Sequence, residues 1–240
     1  MKFNVLLVIP ARYASTRLPG KPLKKIGNKT MIQHVYERAM KVNCIKTLVA
    51  TDDKRILNHC KKNKIKCVMT KKIHTTGSDR VSEVSKKYKF EWVLNLQGDE
   101  PLINVKDVKN LIRKSILFYK KQKFSVATLY FKKKETNKFN PNEARLILNK
   151  NKEVIIFTRK KITNNSKENT YLKHIGIFLY RKKFLQKFSK LKERFLERDQ
   201  SLEQLRVIEN GYKIIAFRAN NLTRGVDSYR DLCNIRKKFK

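Results

Sequence analysis

Apolar residues in the first hundred positions come in short runs separated by segments of helical spacing. Residues 5–9, 47–50, 66–69 and 92–96 read as strands, and Met31–Val42 and Lys54–Lys62 as helices between them. The run at 5–9 is apolar without alternation, the pattern of a strand covered on both faces in a parallel sheet. In the first helix Met31, Ile32, Val35, Tyr36 and Ala39 recur at i, i+3, i+4 spacing, so one stripe packs on that sheet. This alternation predicts a doubly wound, mostly parallel sheet. Pro10 has no N–H to donate, so pairing is expected to stop there. Either Asp52 or Asp53 can cap the helix beginning at Lys54, and Thr51-Asp52-Asp53 is read as structural.

The second half is less regular. Short strands are expected at 125–130, 144–148, 154–157, 174–180 and 213–217, with a final helix at 229–237, which together predict a mixed sheet. Between Ile162 and Leu172 the chain is polar and without periodicity, so a mobile loop is expected. There is no internal repeat.

With 240 residues the chain is long enough for one large α/β domain. It has no run of about 18 apolar residues to span a bilayer, and it opens on a strand rather than a secretion signal, so a cytoplasmic location without membrane insertion is expected. Cys44, Cys60, Cys67 and Cys233 form no C-x-x-C pair, and the four histidines are scattered, which argues against zinc and against a disulfide framework. The net charge of +38 raises nucleic acid as a partner. However, 42 of the 58 cations are lysine, they are spread along the chain, and specific phosphate and base contacts favour arginine. The surplus fits an AT-rich coding sequence and leaves only non-specific, salt-sensitive nucleic-acid binding.

The first strand runs into Pro10-Ala11-Arg12-Tyr13-Ala14-Ser15-Thr16-Arg17-Leu18-Pro19-Gly20-Lys21. Small residues and Gly20 let such a loop curl and expose amides, while Arg12, Arg17 and Lys21 add charge at a strand's carboxyl end, where α/β sheets bind ligands. A polyphosphate suits it. Gly20-Lys21 is not a P-loop, because that pattern needs Gly at 15 and Ser or Thr at 22, and the chain has Ser15 and Pro22.

Asn95-Leu96-Gln97-Gly98-Asp99-Glu100-Pro101 follows the fourth strand and makes Asp99 the leading ligand for Mg²⁺, which takes one or two carboxylates and completes its shell with phosphate and water. Asp227 is the candidate partner, with capping of the final helix as its other reading. His74-Thr75-Thr76-Gly77-Ser78-Asp79-Arg80 reads as a turn into a helix whose first amides could hold a nucleotide. Leu202-Glu203-Gln204-Leu205-Arg206 has the pattern of an amphipathic helix with its leucines inward and its polar pair outward.

In order and spacing these segments resemble the 3-deoxy-manno-octulosonate cytidylyltransferases, or CMP-KDO synthetases, over nearly the whole chain. P-A-R-Y-A-S-T-R-L-P-G-K-P-L and N-L-Q-G-D-E-P carry the resemblance, supported by F-N-P-N at 139–142, C-V-M-T at 67–70, H-x-x-G-S-D-R and L-E-Q-L-R. It implies a three-layer α/β/α sandwich with a mostly parallel mixed sheet of the nucleotide-diphospho-sugar transferase type. The whole of 1–240 is then one nucleotidyltransferase domain, with a smaller mixed-sheet region at about 130–180 contributing to a homodimer. The implied reaction makes CMP-KDO and pyrophosphate from CTP and KDO with Mg²⁺, for lipopolysaccharide biosynthesis.

By matching motif, Arg12, Arg17, Lys21 and Asp99 are implied as catalytic. Ala11, Arg12, Ser15, Lys21, Gly77, Ser78, Arg80 and Gln97 are implied to bind the nucleotide, Arg159, His174, Glu203 and Gln204 the sugar acid, and Asp99 and Asp227 the metal. The chain departs from the family pattern at Phe178, where a tyrosine is usual. It departs again in Thr158-Arg159-Lys160-Lys161-Ile162-Thr163-Asn164, which lacks the Pro and Trp of S-R-x-x-I-P-W and precedes a shorter loop. These departures bear on the acceptor, so two rival readings stand: a cytidylyltransferase for another acidic sugar (8-amino KDO or sialic acid), and a decayed enzyme retained for nucleic-acid binding.

Overall fold

The computed structural model describes residues 2–15, 17–135, 139–162 and 169–239. Its first half alternates as the apolar pattern predicts. β1 (Phe3–Ala11) leads through the cationic loop to a short hairpin, β2 (Lys25–Ile26) and β3 (Lys29–Thr30), and then to α1 (Met31–Val42). β4 (Cys44–Thr51), α2 (Lys54–Lys62), β5 (Cys67–Met69), α3 (Gly77–Lys86) and β6 (Trp92–Leu96) follow. The second half comprises α4 (Val105–Lys121), β7 (Val126–Lys134), β8 (Arg145–Leu148), β9 (Val154–Thr158), β10 (Thr170–Arg181), α5 (Lys182–Phe188), α6 (Phe195–Gln200), α7 (Leu205–Glu209), β11 (Ile214–Arg218) and α8 (Tyr229–Arg236).

The main sheet has the order β11-β7-β10-β6-β1-β4-β5. Neighbours are parallel except at β10, which runs against both β6 and β7. Val5, Leu7 and Ile9 of β1 enter a core with α1, α2 and α4, while Leu6 and Val8 enter a second core with α3, α5 and α7. That two-sided burial is why the strand is apolar at every position from Val5 to Ala11, and it makes the molecule a three-layer α/β/α sandwich. A third apolar cluster joins Leu18 of the cationic loop to Ile26, Met31, Val226 and the inner face of α8. None of the described helices is long and apolar enough to cross a membrane.

Pairing does not stop at Pro10. β1 stays in register with β4 as far as Ala11 opposite Thr51, whereas its pairing with β6 ends at Val8 opposite Asn95. The Pro10 carbonyl points at Gly98, beyond the end of β6, so the edge without an N–H faces a neighbour that has already turned away. Gly98 is essential to that turn, because a Cβ there would lie 2.8 Å from the Pro10 carbonyl oxygen.

A second junction lies at Gly176, where the register of β10 against β7 shifts between Ile175 and Phe178. On its other flank β10 pairs with β6 after this point and with β8 before it. The sheet therefore forks where the cleft opens, and the residues just before β8 and just after β9, 140–144 and Arg159, border it. Asp53 caps α2 by accepting from the Arg55 amide at 2.8 Å, and Asp52 accepts from Arg80 Nη2 at 2.8 Å, so Thr51-Asp52-Asp53 is structural as read. Most of the loop expected between Ile162 and Leu172 lies outside the described residues, as do Thr163 and Asn164; β10 begins earlier than expected, at Thr170.

Gly98→Ala is expected to lower the free energy of unfolding by about 1–3 kcal/mol through overpacking against the Pro10 carbonyl. Gly211→Ala serves as comparison, with φ of +76° and no heavy atom within 4 Å of the added methyl, so it should cost only the backbone strain of about 1–2 kcal/mol. Urea denaturation of the two variants measures the difference. An undiminished stability for Gly98→Ala would show that the two turns are not packed this closely.

Candidate active site

A cleft of about 1340 Å³ opens at the carboxyl ends of β1 and β6, and its lining includes every residue expected to act except Ser78. Its charged centre is built from three distant loops. Lys21 Nζ lies 2.8 Å from Asp99 Oδ2 and 3.6 Å from Asp227 Oδ1, and Arg17 Nη2 is 2.9 Å from the same Asp227 oxygen. The Val226 amide donates to the Asp99 carbonyl at 2.9 Å, which clamps the two carboxylate loops together. Asp227 does not cap α8. Ser228 does, with Asp231 completing a capping box, so the Asp227 carboxylate is left to face the cations.

The cationic loop differs from expectation in one respect. The Ser15 and Gly20 amides both donate to the Tyr13 carbonyl, at 2.9 and 3.0 Å, so these two donors hold the curl rather than facing the cleft. Gly20 makes the turn in the left-handed region, with φ of +68°. Arg12 and Arg17 are exposed, Ser15 is half-buried, and Ala11 is buried at the base of the loop.

Behind the cleft, Thr76 caps α3 and Gly77 fits closely against Pro10 and Gln97. Ser78 turns inward. Its hydroxyl donates to Glu203 Oε1 at 2.7 Å, accepts from Asn95 Nδ2 at 3.1 Å and lies 2.9 Å from the Tyr180 hydroxyl. Arg80 is also committed to the framework: it is 3% exposed and bonded to Thr70 and Asp52. The side-chain hydrogen bonds of Ser78 and Arg80 thus go to the framework beneath Gly77, although Arg80 still borders the cleft.

Leu202–Arg206 is not one amphipathic helix. Residues 202–204 form a turn, Gln204 is buried ahead of α7, and Glu203 reaches across to the Ser78 amide at 3.3 Å as well as to its hydroxyl. The start of α3, with free amides and a positive dipole end, draws that carboxylate in. The leucines are buried as read, but the polar pair also points inward, and Glu203 and Gln204 both line the cleft.

On the opposite wall, Arg159 donates through Nε to the Gln200 carbonyl at 3.1 Å and through Nη1 to the Asn142 carbonyl at 2.7 Å. Burial lowers its pKa, against the pull of Asp227. His174 Nε2 lies 2.9 Å from Thr128 Oγ1, which itself donates to the Ile177 carbonyl at 2.6 Å, so the imidazole is assigned as the donor in that pair. Burial, with the charges of Arg159 and Lys173, lowers the His174 pKa to about 3. His174 is therefore neutral at ordinary pH and can bind a hydroxyl, but it cannot neutralise a carboxylate. Phe178 packs on it with ring centroids 5.0 Å apart.

Three further participants were not among the expected site residues, although Asn142 and Glu100 lie within quoted motifs. Asn142 accepts from Arg17 Nη1 through its side chain at 3.0 Å and from Arg159 through its carbonyl, so it links both halves of the cleft. Glu100 is buried beneath Asp99 with Oε2 lacking a hydrogen-bond partner; burial, then the Asp99 charge, pushes its pKa up to about 7. Glu143 receives Lys133 Nζ at 3.0 Å, Lys173 Nζ at 3.1 Å and the Tyr171 hydroxyl at 2.6 Å. Burial pushes the Glu143 carboxyl up, but Lys173, Tyr171 and Lys133 outweigh it and hold it down to about 2. Only the register of β8, β10 and β7 brings these groups together.

The cytidylyltransferase sequence profile matches residues 6–214. A 3-deoxy-manno-octulosonate cytidylyltransferase of Fusobacterium nucleatum is 44% identical over 237 residues, covering 97% of this chain and 94% of its own. The chain belongs to the 3-deoxy-manno-octulosonate cytidylyltransferase family. A 3-deoxy-manno-octulosonate cytidylyltransferase of Escherichia coli is 39% identical over 94% of this chain and 92% of its own. A solved CMP:2-keto-3-deoxy-manno-octonic acid synthetase complexed with CTP superposes with a TM-score of 0.87 at 38% identity, covering 98% and 97% of the two chains. The inositol-1-phosphate CTP transferase of T. maritima shares the fold alone, at 15% identity and a TM-score of 0.68 over 100% of this chain and 97% of its own.

Glu143→Gln is expected to destabilise the protein by about 1–2 kcal/mol at pH 7, a figure discounted for partial solvent screening. The folded carboxyl titrates below its ordinary 4.5, so its stabilising contribution is full above that value and is lost as pH falls toward about 2. Urea unfolding of both proteins at pH 7, 4.5 and 3 should show the gap closing with acid. A gap that stays constant down to pH 3 would rule out this ionic role for Glu143.

Proposed function

We propose that this chain transfers CMP from CTP to the anomeric hydroxyl of 3-deoxy-D-manno-octulosonate, releasing pyrophosphate, in the cytoplasmic branch of lipopolysaccharide biosynthesis. The observation that carries the reading is the meeting, in one cleft, of the Arg17–Lys21–Asp99–Asp227 cluster with Arg159 and His174 on the facing wall. Full-length relatives of that activity support it.

Arg12, Arg17 and Lys21 bind the triphosphate, and Gly77 and Gln97 leave room for the nucleoside beside β1 and β6. Arg159 takes the sugar carboxylate, while neutral His174 and the Glu203–Gln204 turn orient hydroxyls. The sugar oxygen forms a bond to the α-phosphorus as the bond to the pyrophosphate oxygen breaks, and the hydroxyl proton is released. Fixed cations stabilise the charge that builds on the phosphate oxygens, and side-by-side binding supplies orientation. Asp99 and Asp227 would hold Mg²⁺: they are two converging carboxylates beside the phosphate cations, and among the described residues no larger cluster of His, Cys, Asp or Glu competes for that role. When bound, Mg²⁺ supplies further positive charge to phosphate oxygens.

A homodimer joined through the 130–180 region is part of the same reading. Exposed Ile147 and Ile155 on β8 and β9 support it. Phe178, set against His174, favours keeping another acidic sugar as the alternative acceptor. The complete charged centre opposes the decayed-enzyme reading.

Pyrophosphate release is expected only when CTP, Mg²⁺ and KDO are all present, and Asp99→Asn should lower turnover by about 100-fold or more. Arg159→Gln is expected to raise KM for the sugar acid by roughly tenfold or more with a smaller effect on CTP. Coupled phosphate detection measures both. Release with a different acidic sugar but not KDO would move the assignment to that acceptor, and full turnover in Asp99→Asn would remove the carboxylate pair from the mechanism.

A further inference from the structure

The two carboxylates assigned to the divalent cation are already paired with cations of the protein. One ammonium bridges them, with Lys21 Nζ at 2.8 Å from Asp99 and 3.6 Å from Asp227, while Arg17 adds a bond of 2.9 Å to Asp227. Two negative charges thus meet two positive ones. Lys21 is not a surface side chain resting there by chance: it is 12% exposed, and its backbone is set by the left-handed Gly20 and by Leu18, which packs with Val226 next to Asp227. An ammonium and a divalent cation cannot both sit between the same carboxylates, because like charges at such a separation repel strongly even at the effective dielectric of a protein surface.

We propose that Lys21, assisted by Arg17, is a placeholder that closes the carboxylate pair to divalent cations until a triphosphate draws both side chains away. The inference rests on the functional reading above. A triphosphate offers these cations more negative charge than Asp99 and Asp227 do, and their transfer to its oxygens uncovers both carboxylates. Nucleotide and divalent cation therefore bind as a coupled pair, each raising the affinity for the other by the same factor. A site built this way ignores free divalent cations at concentrations where it accepts them with nucleotide. One lysine so serves first as counter-ion and then as phosphate ligand.

The test is Mn²⁺ binding to the full chain, read from the electron paramagnetic resonance signal of the free ion, with and without CTP. Lys21→Gln is expected to bind Mn²⁺ at least tenfold more tightly than the wild type in the absence of nucleotide. Arg17→Gln, at an exposed position less bound up with folding, should gain severalfold. CTP should raise wild-type affinity well beyond what Mn²⁺ binding to CTP in solution explains, and this enhancement should shrink in Lys21→Gln. Asp99→Asn should weaken binding in every case. Equal Mn²⁺ affinity in wild type and both cation variants would overturn the placeholder while leaving the carboxylates as the metal site. Absence of Mn²⁺ binding by every variant, with or without CTP, would overturn the functional reading and the placeholder with it.

Discussion

Opposite charges held at one edge of a sheet are the constraint around which this molecule is arranged. Asp99 and Asp227 would repel each other if left alone, and they stay close because Lys21 stands between them and the Val226 amide locks their loops. That contact needs Gly98 to turn tightly past Pro10, Gly20 to turn the cationic loop, and Leu18 to be buried with Val226. The apolar clusters therefore do more than stabilise. They hold three loops from distant parts of the chain in a geometry that the charges alone, screened by water and salt, would not maintain.

The same constraint explains how a chain with 58 cations and 20 acidic residues remains specific. Acidic residues are scarce, and many are committed to defined partners. Asp52 holds Arg80, Glu197 holds Arg206, Glu143 joins Lys133 to Lys173, and Asp227 holds Arg17. Arg17, Lys21 and Arg159 of the cleft each have an acid or a carbonyl placed to receive them.

Much of the fold was legible because buried structure writes itself into periodicity. Met31–Val42 and Lys54–Lys62 match α1 and α2 to the residue, and the four expected apolar runs fall on β1, β4, β5 and β6, whereas the short β2–β3 hairpin was not expected. Legibility failed where a long-range partner overrode the local pattern. Pro10 stays in the sheet because only one of its neighbours has ended, a fact about β6 rather than about proline. The spacing of Leu202–Arg206 suits a helix, yet the start of α3 pulls Glu203 out of that role. The convergence of Arg17, Lys21, Asp99 and Asp227 follows the motifs that carry them, cations and carboxylates near glycines at strand ends, although the second reading of Asp227 as a helix cap fell only to the structure. Ser78 and Arg80 belong to an equally clear motif, but their side chains face the framework, and motif membership carries no information about side-chain direction. Glu143 needed the register of the sheet to meet Lys133, Lys173 and Tyr171, whereas Asn142 and Glu100 lie in quoted motifs but make contacts that local pattern does not reveal.

The acceptor wall shows how these limits bear on specificity. On the proposed function, a sugar acid brings one negative charge that a group on that wall has to meet, because an unpaired buried charge is costly. His174 is the obvious partner by position, but burial against Phe157 and Phe178, beneath Arg159 and Lys173, keeps it neutral. Lys173 is taken up by Glu143, which leaves the charge to Arg159. Arg159 bonds two backbone carbonyls, which orient its guanidinium without cancelling its charge. On the proposed reading, a neutral sugar entering this wall would leave that half-buried cation unmatched, so discrimination in favour of an acid would come from the penalty for the wrong ligand as much as from contacts with the right one.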